Sequence, residues 1–208
     1  MILMIDNNED LREIESRGET NGYKCEQLIT PLTGFRNIHP DQRFAIDNGA
    51  FSKNGFNKNR FEAILQREKD RKHLCRFVAI PDVVGSARRT LEVFDYWFPR
   101  LTAWKLAFVC QDGQENLPIP WDVIDAVFIG GSTEWKESDH AKHIVRAAKI
   151  LGKWVHVGRV NGKDRFTAFE DWGADSCDGS GIAQYTYMRE QMTGEPPLFS
   201  RKELAINV

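Results

Sequence analysis

The chain has 208 residues, 41% hydrophobic and 28% charged, which is the composition of an ordinary globule with room for one domain and a substantial core but not comfortably for two. A formal charge of −2 argues against a domain that holds nucleic acid by bulk attraction, because such domains are markedly basic; a local basic face stays open. Four cysteines, at positions 25, 75, 110 and 177, never approach the C-x-x-C spacing of metal or redox sites, so buried thiols are expected, with no metal and no cofactor.

The opening Met1-Ile2-Leu3-Met4-Ile5 reads as a strand, and Asp6 to Asp10 cut it too short for a signal peptide or a membrane span, so a cytoplasmic protein with no membrane contact is expected. Residues 6–22, rich in Asp, Glu, Asn and Gly, read as a solvated excursion with one short helix at Leu11 to Ser16. Residues 24–29 suit a strand that ends at Thr30-Pro31, where proline removes a ladder donor. From Arg43 the rhythm is regular. Apolar runs at Phe44–Ile46, Phe77–Ile80, Leu106–Val109, Val127–Ile129, Trp154–Val157 and Ala174 each stop on a polar or glycine cluster. Between them, Asn59–Lys72, Ser86–Phe98 and Ser138–Leu151 carry apolar residues at helical spacings of three and four, with Ser86 and Ser138 as N-caps and Gly152 just past a helix end.

Strands alternating with helices at this spacing predict βα units, a parallel sheet and right-handed crossovers. Counting the two early strands gives eight, so the expected fold is α/β: a compact (βα)8 TIM-like barrel in a single domain over 1–208. Because such barrels run to roughly 250 residues, some helices must be reduced or missing, and an incomplete barrel or open sheet is the alternative.

In parallel α/β folds the residues just beyond the strand ends converge on the ligand site. Here those residues include Asp47-Asn48-Gly49, Asp82, Gln111-Asp112-Gly113, Gly130-Gly131, Gly158-Arg159 and Asp175-Ser176-Cys177-Asp178. Taken singly, each acid has an ordinary reading: Asn48-Gly49 as a turn, Asp82 and Asp112 as helix caps, Gly130-Gly131 as close packing or a phosphate cradle. Together, carboxylates, a carboxamide and backbone amides complement the donor and acceptor edge of a purine-like ring. Asp175 and Asp178 lie three apart, so on a strand they point to opposite faces and at most one faces a pocket. A carboxylate there can attack a sugar carbon while a second one, Asp47, moves the proton. A metal site built from Asp47, Asp82, Asp178 and His156 is the rival chemistry, without a supporting spacing. Six tryptophans, including Trp97, Trp135, Trp154 and Trp172, read as core or interface residues rather than stacking platforms.

In this order, over about residues 43–180, the clusters resemble the tRNA-guanine transglycosylase superfamily, in particular the small 7-deazaguanine DNA transglycosylases of the DpdA type. Asp47-Asn48-Gly49-Ala50-Phe51 is similar to that family's Asp-Ser-Gly-Gly-Phe. Asp82 resembles its base-recognising acid, Gln111 its glutamine before glycine, with Asp112 inserted before Gly113, and Gly130-Gly131 the pair whose backbone binds the base carbonyl. Val157-Gly158-Arg159 resembles its Gly-Val-Gly with arginine in place of the second glycine. Gly173-Ala174-Asp175-Ser176-Cys177-Asp178 reproduces its Gly-x-Asp-x-x-Asp spacing.

The resemblance implies a glycosyltransferase of the pentosyltransferase class. Asp178 would attack the anomeric carbon and expel guanine through a covalent aspartyl-glycosyl intermediate, Asp47 would handle protons, and a 7-deazaguanine of the 7-cyano-7-deazaguanine type would take guanine's place, a queuosine-related modification. Asn48, Gly49, Asp82, Gln111, Gly130, Gly131, Gly158 and Asp175 would bind the base. The C-x-C-x-x-C zinc subdomain of the tRNA enzymes has no counterpart, so DNA is the expected polymer before tRNA. Arg88, Arg89, Arg159 and Lys163 are the candidate nucleic-acid contacts, and a protein partner or second copy is left open as a further contact surface. The basic run Lys58, Arg60, Arg67, Lys69, Arg71, Lys72 and Arg76 reads first as a solvated helix face, given Glu62, Glu68 and Asp70. An N-glycosidase or transferase acting on free nucleosides or nucleotides, and a non-catalytic subunit that binds a modified base, are the alternatives.

Overall fold

A computed structural model of the chain describes residues 1–6, 24–32 and 41–193. The short helix expected at Leu11 to Ser16 lies outside the described residues. Eight parallel strands close into a barrel in chain order: β1 (Ile2–Ile5), β2 (Lys24–Ile29), β3 (Phe44–Ile46), β4 (Cys75–Ala79), β5 (Leu106–Cys110), β6 (Ala126–Ile129), β7 (Trp154–Val157) and β8 (Ser176–Asp178). Closure runs through β8 and β1, which pair with Ile2 opposite Ser176 and Met4 opposite Asp178. The barrel is therefore complete, and the open-sheet alternative falls.

Helices pack outside. After β3 comes α1 (Lys58–Arg67), capped by the Asn57 side chain. The single helix expected over 59–72 breaks at Glu68 into a 3-10 turn, Lys69–Leu74. That break folds Arg67 and Arg71 around the buried Glu68 carboxylate, at 2.5 and 2.9 Å. Helix α2 (Ala87–Leu101) is capped by Ser86 and runs past its expected end, through Pro99, because Leu101 continues the buried stripe of Phe94 and Trp97. Two short helices missed by periodicity, α3 (Thr133–Lys136) and α5 (Lys163–Trp172), flank α4 (Asp139–Ile150), which starts on Ser138 as expected and ends before Gly152 in the left-handed conformation. Beyond β8 lie α6 (Ser180–Gln184) and α7 (Thr186–Thr193). Between β5 and β6 there are only 3-10 turns, at Gln114–Asn116 and Trp121–Val123, and this economy helps a chain of 208 residues to close the barrel.

Strand side chains alternate, and the alternation divides the core in two. Leu3, Ile5, Val78, Phe108, Val127, Ile129, Val155 and Cys177 belong to a large cluster with the helices. Met4, Leu28, Ala45, Phe77, Ala79, Ala107, Val109, Ala126 and Phe128 form a second cluster that fills the barrel. All four cysteines are buried and free. Toward the strand N-termini the interior is plugged by charge: Arg76 donates to both Glu26 oxygens, at 2.8 and 2.5 Å, and lies 4.7 Å over the Trp154 ring. The register shift between β3 and β4 falls beside Arg76, at Cys75–Val78, as expected of a bulge that re-aims a side chain.

Candidate active site

Continuing the same alternation two residues past the barrel filling gives the floor of a cavity. Ala45 leads to Asp47, Val109 to Gln111, Phe128 to Gly130, His156 to Gly158, and Ser176 to Asp178. All five of these successors line a cavity of about 520 Å³ at the carboxyl ends of the strands, within the ~300–1,000 Å³ of small-molecule sites. Asn48, Gly49, Asp82, Gly131 and Arg159 line it as well. Ten of the residues singled out from sequence are thus brought together.

Four acids line this space, Asp6, Asp47, Asp82 and Asp178, and the last three differ in their surroundings. Asp47 is pushed from 3.8 up to about 7, chiefly by burial and next by the charge of Asp178, against the Gly49 N–H that donates to its Oδ1 at 3.1 Å. Asp82 is also raised by burial, opposed by two amides: Asn48 Nδ2 donates to its Oδ1 at 2.9 Å and Gln111 Nε2 to its Oδ2 at 2.6 Å. Asp178 accepts the Arg159 backbone N–H on Oδ1 at 3.0 Å, and its Oδ2 lies 2.9 Å from His156 Nε2.

The amides are largely spoken for. Gln111 Oε1 accepts from Gly85 N and Gly131 N at 2.9 and 3.1 Å, and Gly130 N donates to Cys110 O at 2.9 Å. The N–H groups of Gly130-Gly131, expected to serve a ligand, therefore serve the scaffold. Gly131 itself has φ +67, and a Cβ there would meet Asp112 Oδ2 and Trp135 at 2.7 Å. Asp112 ties the loop after β5 to the loop after β6, accepting the Ser132 N–H at 2.7 Å and its hydroxyl at 2.5 Å. Burial pushes Asp112 up, but these bonds prevail and hold it below the usual carboxylate value.

The rim is cationic and aromatic. Arg159 is the one non-glycine residue with positive φ among the described residues, at 60°, a conformation that costs of order 1–3 kcal/mol where surroundings impose it. In that conformation its N–H reaches Asp178, its guanidinium lies 3.9 Å over the exposed Phe51 ring, and one Nη donates to Gly131 O. Behind it, Lys136 is buried, which lowers it from 10.5 to about 8, and donates to Gly158 O at 2.5 Å. The cavity thus has an acceptor-rich floor and a positive edge.

Other candidates sit elsewhere. Asp175 faces away from the cavity, held by Lys149 Nζ at 2.6 Å and by the Val155 N–H at 2.7 Å. Arg88 and Arg89 are exposed on the first turn of α2 and do not line the cavity. Lys163 lines an adjoining groove at the start of α5 that shares Asn161 and Arg165 with the cavity. The basic run is mostly committed to partners: Lys58 to Glu62, Arg67 and Arg71 to Glu68, Arg76 to Glu26. His156 Nε2, the nitrogen of the rival metal set, is engaged by Asp178, and among the described residues no group of three or more His, Cys, Asp or Glu side chains is placed to hold a metal ion. Sequence reasoning assigned no role to Phe51, Asn161 or Ser180, which also line the cavity; Phe51 follows Asp47 by four residues in the same loop, and that proximity was the available signal.

No protein-family model and no curated protein matches this chain.

Proposed function

We propose that the protein is a base-exchange transglycosylase that replaces guanine with a 7-deazaguanine in nucleic acid, DNA before tRNA. One observation carries the reading: two carboxylates share one cavity in environments that set them apart, Asp47 raised to about 7 and Asp178 held by two nitrogen groups. Unequal carboxylates divide acid–base work from nucleophilic work. In the first half-reaction an Asp178 oxygen forms a bond to C1′ of the sugar as the C1′–N9 bond breaks, and the Asp47 proton passes to the departing guanine. In the second, ionised Asp47 takes the N9 proton of the incoming base, N9 bonds to C1′, and Asp178 is released. Atoms and charge balance without a cofactor. The acceptor face of Asp82 suits the N–H donors of a guanine-type edge, and the Arg159 rim suits the sugar-phosphate side.

A second reading, transfer or hydrolysis on free nucleosides or nucleotides, is favoured by the ion pairs that occupy much of the basic run. Incubation with labelled guanine or a labelled 7-deazaguanine, separately with DNA and with tRNA, decides between them. Label in DNA that disappears with Asp178→Ala supports base exchange. Label in neither polymer, with base released from free nucleosides, replaces it with the second reading.

A further inference from the structure

Below the cavity, the innermost polar groups of the barrel form one continuous chain. Trp154 Nε1 donates to Ser176 Oγ at 2.9 Å, Ser176 Oγ lies 2.9 Å from His156 Nδ1, and His156 Nε2 lies 2.9 Å from Asp178 Oδ2. His156 and Ser176 are 0% exposed, so each polar atom must find its partner within the protein.

Counting protons along this chain fixes its direction. The indole N–H can only donate, so it uses a lone pair of Ser176 Oγ. Among the described residues the Ser176 proton then has one acceptor, His156 Nδ1, because the indole offers none. Were Nδ1 protonated, the buried hydroxyl proton would be left without a partner, at a cost of about 1–3 kcal/mol. Nδ1 therefore accepts, the ring proton sits on Nε2, and Nε2–H donates to Asp178 Oδ2. The ring is clamped by Phe128 at 4.5 Å and Phe77 at 5.2 Å between centroids. From the elements packed on it, β4 presents Phe77, β6 Phe128 and β8 Ser176 and Asp178, and of these Asp178 alone carries charge.

We propose that His156, fixed as its Nε2–H tautomer by Ser176 and Trp154, is the positioning residue for Asp178. This rests on the reading that Asp178 attacks the sugar carbon. With Oδ2 pinned by His156 and Oδ1 by the Arg159 N–H, the carboxylate is held at both oxygens where it lines the cavity. Ser, His and Asp here are no hydrolytic triad: the serine is sealed in the barrel and the aspartate meets the ligand, the reverse of that arrangement. The chain also ends on a donor, so it offers no acceptor to carry a proton away, and proton transfer stays with Asp47.

The test reads the resting protein first. Nitrogen-15 NMR of histidine-labelled protein near neutral pH should show His156 with Nε2 protonated and Nδ1 bare, and Ser176→Ala should lose that single-tautomer signature. A wild-type ring protonated on Nδ1, alone or together with Nε2, overturns the proposal. Turnover is read second: His156→Leu should lower kcat of base exchange by about 10–100-fold, the range for outer partners that orient metal ligands, with KM for the base little changed. His156→Gln, whose amide can still donate to Asp178, should recover part of the loss. Equal kcat in wild type and His156→Leu also overturns it. An inactive wild type with the expected tautomer sinks the exchange reaction and leaves the placement of Asp178 standing.

Discussion

Replacing Asp47 with asparagine should make the protein more stable at alkaline pH and leave it unchanged at acid pH. The wild-type carboxyl is pushed from 3.8 to about 7, so between those values the folded state holds a proton that the unfolded state has released. Stability then falls as pH rises, by about 1.36 kcal/mol for each pH unit across this window, or roughly 4 kcal/mol at full effect. Solvent reaching the half-buried group trims this to roughly 2–4 kcal/mol. Below pH 4 both states are protonated and the contribution vanishes; above pH 7 it is constant. Asparagine keeps the shape and cannot ionise. Urea denaturation of wild type and Asp47→Asn at half-unit steps from pH 4 to 9 should give a stability difference that grows between pH 4 and 7 and then levels. Because the Asp178 charge is the second cause of the shift, Asp178→Asn should lower the folded pKa of Asp47 and so narrow the pH window over which wild-type stability falls. A difference independent of pH would refute the buried, charge-opposed environment and with it the acid–base assignment.

Three further outcomes follow from the same geometry. Guanine release in the first half-reaction, which needs protonated Asp47, should fall as pH rises through about 7, whereas base insertion, which needs the ionised form, should rise through it; single-turnover rates of each half measured separately check both signs. Gln111→Leu strands the buried Gly131 N–H and frees Asp82, so about 2 kcal/mol of stability and much of the base affinity should go, and an unaltered KM for the base would show that Gln111 does not aim Asp82. Gly158→Ala places a Cβ 2.6 Å from Phe128, whose ring presses on His156, so turnover should suffer more than the ~1–3 kcal/mol of overpacking seen by denaturation.

Much of the site was legible because the strand period of two runs on past the strands. The spacing of Asp175 and Asp178 required opposite faces, and the structure puts one against Lys149 and the other in the cavity. What was not legible depends on partners distant in sequence. In the sequence His156 stood only in the rival metal set, and only the pairing of β7 with β8 brings it to Ser176 and Asp178. The break of the helix at Glu68 was hidden because Glu68 takes the next position in the spacing of Phe61, Ile64 and Leu65, and its burial between Arg67 and Arg71 shows only in the fold. The glycine pair after β6 marked the right place, but which N–H groups remain free depends on Gln111 from the neighbouring strand.

The charged plug of Glu26 and Arg76 over Trp154 fills the end of the barrel opposite the cavity. A packed layer of Phe77, Phe128 and His156 lies between the cavity and that end, so among the described residues a ligand is not offered a path through the barrel. If the proposed exchange runs here, the outgoing and incoming bases would take turns at one site, in keeping with the ping-pong order of a covalent intermediate. Free guanine held in solution would then compete with its own replacement, and the rate at which the site clears would cap turnover however fast the bonds are made.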